Sequence, residues 1–155
     1  MVLTAADLAA EQEYHRGMRY LHNRLHGYGT VSGLEVTVAR RRVRVDPGMA
    51  IDACGREIVL AQPLTLRLEP HRDARAWVRD LVIVWHETPD IPVTGLDGAT
   101  GFTRWVEQPE LSLVASGKAA PEALVLARLI RTTRGSVEVD TSVRRSLGPA
   151  QPEMT

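Results

Sequence analysis

The chain has 155 residues, 44% of them hydrophobic and 25% charged, with 19 Lys and Arg against 19 Asp and Glu. That length suits one domain with a core large enough to fold without staples, and a zero formal net charge lacks the positive excess by which proteins bind nucleic acid nonspecifically. The only cysteine, Cys54, excludes an internal disulfide and suits a reduced, cytoplasmic setting, while no apolar run approaches the ~20 residues of a membrane span.

The opening residues, MVLTAADLAAEQE, lack the charged-then-apolar pattern of a signal peptide. Thr4 followed by Asp7 reads as a capping box with Asp in the usual Glu or Gln position, and no proline interrupts the stretch after them, so a helix is expected over Ala5–Leu25. Tyr14, Met18, Leu21 and Leu25 share one stripe of it, flanked or opposed by Arg16, Arg19, Asn23 and Arg24. So narrow a stripe can pack on the protein's own sheet or on the same helix of another subunit. The protein's own sheet is the expected partner, because so short a helix rarely sustains a coiled coil alone.

Gly27 and Gly29 end the helix, and the period changes from 3.6 to 2. Val31, Leu34–Val38, Val43–Val45, Ala50–Ile51, Ile58–Leu60 and Leu64–Leu68 alternate between turn residues, which predicts a meander of five short strands with ARRR, DPG, ACG and QP as punctuation. Leu81–Trp85 is continuously apolar, as in a strand covered on both faces. The next segment, 88–101 (TPDIPVTGLDGATG), is too rich in Pro and Gly for regular structure and reads as a long lid or contact arm. Two strand pairs close the chain, TRWVEQPELSLVA and then ALVLARLIRT with GSVEVD. The expected fold is mainly β: a helix over 1–27 packed on a β-sandwich or partly open barrel over 28–147, with a disordered tail at 148–155.

Candidate chemistry is sparse. His15, His22 and His26 line one side of the helix with Glu11 a turn earlier, but HNRLH lacks the Glu of HExxH, and one helix presents ligands from one direction only. No metal is therefore expected, and His26 is expected to pair with a backbone carbonyl at the helix-to-strand corner. Ser32 in GTVSG misses the nucleophile elbow by one position. Cys54 in DACGREI reads as a small buried residue before a turn glycine, since a nucleophile would need a nearby imidazole such as His71 or His86. Asp46 and Asp52 read as turn residues bonding their own backbone, and Glu57 as the partner of Arg56 or another arginine. The glycines of GLDGATG lack a GK[ST] ending. Trp77, Trp85 and Trp105 could form a sugar platform if exposed, with Trp85 the one expected in the core.

RYLHNRLHGYGTVSGLEVTV and VRVDPGMAIDACGREIVL carry the patterns LHG-x-G-x-V-x-GLEV and PG-x-AID-x-x-GREI. The chain here resembles β-rich proteins associated with bacteriophage-tail and contractile-injection-system gene clusters. LVIVWHETPDIPV and ALVLARLIRTTRGSVEVDTSVRRSL are similar to later segments of that family, so the resemblance runs from about Arg19 to Leu147. Physically, Gly27, Gly29 and Gly33 let the chain leave a helix and enter a sheet tightly, and Pro47, Gly48 and Gly55 form two turns around MAID.

The resemblance implies a structural or adaptor subunit of a tail-like particle. It would act by protein–protein contact as a homo-oligomer with other particle subunits, without cofactor or catalysis. Tyr14, Met18, Leu21 and Leu25 are the candidate interface. The alternative is a small module binding carbohydrate or metal, or a hydrolase, built on the 88–101 loop.

Overall fold

The computed structural model describes residues 2–70, 75–96, 98 and 100–148, apart from the side chains of 102–104. His71, and the expected tail beyond Gly148, lie outside the described residues. The helix α1 spans Ala5–Leu25. The Asp7 amide donates to Thr4 Oγ1 at 3.2 Å, and the Thr4 amide donates to Asp7 Oδ2 at 2.9 Å, the reciprocal pairing that satisfies two otherwise orphaned donors.

Six short strands follow: β1 (Gly29–Gly33), β2 (Val36–Ala39), β3 (Arg42–Val45), β4 (Gly48–Ile51), β5 (Glu57–Leu60) and β6 (Leu64–Arg67). They do not form a meander. β1, β4 and β5 make one antiparallel sheet, and β2, β3 and β6 another. The path from β1 to β4 is a single long hairpin bent over a corner, its ladder carried through the bend by Leu34 N to Pro47 O at 3.2 Å and Asp46 N to Glu35 O at 2.9 Å.

That corner explains the glycines around it. Gly33 has φ +61, and a Cβ there would strike the Pro47 carbonyl; one on Gly48 would strike the backbone of Ser32 and Leu34. Leu34 itself holds φ 57 while fully buried. A left-handed leucine costs about 1–2 kcal/mol, and burying its side chain returns about 1.5–3. The strain is therefore sustained by the core that the bend creates.

The remaining strands are β7 (Trp77–Val84), β8 (Glu87–Thr94), β9 (Thr100–Glu107), β10 (Glu110–Ala115), β11 (Leu124–Arg131) and β12 (Val137–Asp140). β10, β7, β11 and β12 lie side by side in that order, and β8 pairs with β9 alone. Leu81, Val82 and Ile83 of β7 are all buried, as their unbroken apolar run predicts. TRWVE and ELSLVA are not partners, because β9 pairs with β8 and β10 with β7. The core joins Leu34, Val43, Val45 and Ile58 of the two small sheets to Leu81, Ile83, Leu126 and Leu129 of the four-stranded one. The result is one helix followed by antiparallel strands in four small open sheets.

Two arginines brace the fold, Arg128 within the four-stranded sheet, where it stands opposite Asp80 on the neighbouring strand, and Arg144 between that sheet and the corner at Leu34. Arg128 donates through Nε to Asp80 Oδ1 at 2.8 Å, and the Gly117 amide donates to Oδ2 at 2.8 Å. The Arg128 hydrogen bond is the main cause holding the Asp80 carboxyl below its usual range. Near the C-terminus, Arg144 donates to the carbonyls of Leu126 at 3.0 Å and Leu34 at 2.7 Å. Leu147 and Arg145 bracket Thr30 through backbone bonds. The RRSL segment therefore closes over the glycine-rich corner.

Candidate interaction surface

No residue of α1 is buried, which overturns the expectation that its apolar stripe packs on the sheet. Polar groups hold the helix instead. Asn23 Nδ2 donates to the Gly55 carbonyl at 2.9 Å and to Glu57 Oε1 at 3.1 Å, Arg19 pairs with Glu57 at 3.0 Å, and Arg16 reaches Glu87 at 3.5 Å. Gly55, with φ +86, lets the turn press on the helix, since a Cβ there would strike the Tyr20 carbonyl. Among the described residues the buried Tyr20 hydroxyl has no hydrogen-bond partner, and burial pushes its pKa up.

At about 100° per residue, Arg16, Tyr20 and Asn23 share the inward face, and the stripe lies about 180° away. Tyr14, Met18, Leu21 and Leu25 are accordingly 64%, 49%, 53% and 82% exposed. They run some 16 Å along the outside of the molecule at about 1.5 Å per residue.

The segment 88–101, expected to lack regular structure, is mostly a β-ribbon. β8 and β9 pair from Glu87↔Glu107 to Thr94↔Thr100. Pro89 and Pro92 fit because a two-stranded ribbon leaves strand edges unpaired, where proline's missing N–H costs nothing. Ile91, Val93, Leu96 and Trp105 are exposed on it.

The other candidates scatter. His15 meets Glu11 at 3.7 Å on open surface, with side chains 70% and 66% exposed. The His26 ring meets that of His22 at 5.1 Å, and at this corner it is the His26 backbone amide that donates to a carbonyl, that of Asn23 at 3.0 Å. Among the described residues no three His, Cys, Asp or Glu side chains converge on a common point for a metal. Cys54 is exposed, not buried. Ser32 lies exposed on β1. Asp52 accepts from the Cys54 and Arg56 amides at 2.9 Å, as a turn aspartate does, whereas Asp46 bonds Arg44 at 2.9 Å instead of its own backbone. Glu57 takes Arg19, not Arg56.

The tryptophans form no platform. Trp77 opens β7 and Trp85 follows its end, so the two are about 27 Å apart at 3.4 Å per residue. Trp85 packs against the core with the Arg56 guanidinium 4.7 Å from its ring. The bracing roles of Asp80, Arg128 and Arg144 were not legible in the sequence, where each is one charged residue among many.

No protein-family model matches this chain, and no curated protein matches it in sequence. Solved structures do match in fold. A chain of the type VI secretion TssK–TssF–TssG baseplate subcomplex superposes with a TM-score of 0.60 at 16% identity, over 90% of this chain and 57% of that one. The crystal structure of TssK gives 0.54 at 13% identity, over 90% and 39%. A chain of the type VI secretion baseplate complex gives 0.50 at 15% identity, over 90% and 55%. The chain thus spans about half the length of the structures it matches, or less. In fold it is similar to part of TssK, a protein of the type VI secretion baseplate.

Proposed function

We propose that this chain is a structural or adaptor subunit of a contractile-injection, phage-tail-like particle, and that copies of it associate through the outward stripe of α1. The observation that carries this reading is the stripe itself: Tyr14, Met18, Leu21 and Leu25 are exposed on the face opposite the one tethered by Asn23 and Arg19. Fold likeness to proteins of baseplate complexes supports the particle context, and other subunits of such a particle would be further partners.

The magnitudes suit a weak, symmetric contact. Each partly exposed stripe residue would gain about 1–2 kcal/mol on burial. Two facing stripes would gain about 8–16 kcal/mol, against an association cost of about 4–15. The stripe alone therefore supports assembly at high local concentration, as in a particle with closed symmetry.

Sedimentation velocity on the wild type and on Met18→Glu/Leu21→Glu tests it. The expected result is an oligomer at tens of micromolar that becomes a monomer in the variant at unchanged melting temperature. A wild type that sediments as a monomer throughout that range would overturn the self-association.

A further inference from the structure

The outer face of the β2–β3–β6 sheet carries a feature that a scaffold does not need. Alternation puts Val43 and Val45 into the core and turns Arg42 and Arg44 outward. The registers set Ala39, Arg42 and Arg67 in one cross-strand row and Thr37, Arg44 and Thr65 in the next. The small side chains of Ala39, Thr37 and Thr65 leave a depression of about 640 Å³ walled by Arg40, Arg41, Arg42, Arg44 and Arg67.

Of these five arginines only Arg44 has a carboxylate partner among the described residues, Asp46 at 2.9 Å. Among the described residues none of the other four guanidinium groups has a hydrogen bond or ion pair.

Two features of the cradle work against the fold. Arg42 and Arg67 are direct cross-strand neighbours, a like-charge placement that destabilises a sheet. The two-residue connection of the hairpin is Arg40–Arg41, with φ of 47 and 62. Positive φ at both positions marks a type I′ turn, where Asn-Gly is preferred and residues bearing a Cβ are disfavoured. Local rules broken together at one exposed place point to a use for the residues that break them.

We infer that this cradle is a docking site for an extended, carboxylate-rich segment of a partner polypeptide. Guanidinium forks pair bidentately with carboxylates. Three strands give a face about 10 Å wide, the width of one extended chain. Zero formal net charge over the whole chain leaves no wider basic field of the kind duplex nucleic acid requires. The cradle lies on a different element from the α1 stripe and stands whether or not copies of the chain associate there.

The test is fluorescence polarisation of a fluorescein-labelled (Glu-Gly)5 peptide at low salt. It compares the wild type with Arg42→Gln/Arg67→Gln and with Arg40→Asn/Arg41→Gly, the melting temperature of each being recorded. Loss of two charge-assisted contacts is expected to weaken binding at least about tenfold in each variant. The turn variant is expected to melt higher than the wild type, because Asn-Gly suits the turn, so it carries the test even if the other variant folds poorly.

No peptide binding, equal binding by wild type and turn variant, or a turn variant that melts no higher would each overturn the inference. Displacement of the peptide by inorganic tripolyphosphate at equal or lower concentration would overturn the carboxylate assignment. Tighter, arginine-dependent binding of a DNA duplex would overturn the polypeptide assignment.

Discussion

Replacing Asn23 by alanine tests whether α1 is an appendage on the β-body or part of its cooperative core. The side chain donates one hydrogen bond to a carbonyl and one to the Glu57 carboxylate, worth about 1 and about 1.5–3 kcal/mol respectively. Partial exposure of the Arg19–Glu57 pair, at 52% and 23%, reduces the sum to about 2 kcal/mol. No helix residue enters the core cluster. The loss should therefore fall on helix docking alone, as about a 30-fold drop in the docked-to-undocked ratio. Native-state hydrogen exchange reads this directly. Amides of α1 should lose about 30-fold protection, while those of β7 and β11 keep theirs and the main melting transition moves by less than about 2 °C. An equal loss of protection in β7 and β11 would show that helix and sheets unfold together and would refute the reasoning, as would an unchanged helix.

Tyr14→Ser/Leu25→Ser, on the exposed stripe, is expected to alter monomer stability by no more than about 0.5 kcal/mol per site, as surface changes do, in urea melts of dilute protein. Gly48→Ala drives a methyl into the backbone of Ser32 and Leu34 and should cost at least about 3 kcal/mol, read as a melting temperature about 6–12 °C lower. Asp80 has a lowered folded-state pKa, so the unfolded chain binds its proton first as pH falls. The stability it contributes is complete above about pH 4 to 5 and is lost below, as pH falls through the folded value. Thermal melts from pH 7 to pH 3 should therefore fall more steeply for the wild type than for Asp80→Asn. The variant should be less stable at pH 7, because the Arg128 guanidinium and the Gly117 amide lose their carboxylate acceptor.

Several elements were legible from the sequence alone. Thr4 and Asp7 announce the helix start because a capping box is local chemistry, complete within four residues. The alternation of Val43 and Val45 with arginines identifies β3 and its inward face, since successive side chains of a strand point to opposite sides. The unbroken run Leu81–Ile83 signals a strand covered on both faces. ARRR reads simply as punctuation, and nothing local shows that Arg67 will stand beside Arg42.

An amphipathic pattern states which face of a helix is apolar but not whose surface covers it. Asn23 and Arg19 settle that for α1 by fastening the opposite face to Gly55 and Glu57, contacts more than thirty residues away along the chain. Period-2 alternation likewise gives the faces of strands without their partners, so the bent β1–β4 hairpin reads as a meander and β9 as the neighbour of β10. Pro and Gly in 88–101 mark a loop or a free-standing ribbon equally well, because both leave backbone groups outside any larger sheet. The chain's order of residues thus determined the elements and their faces, while tertiary structure decided their partners, because pairing depends on contacts between residues far apart in sequence.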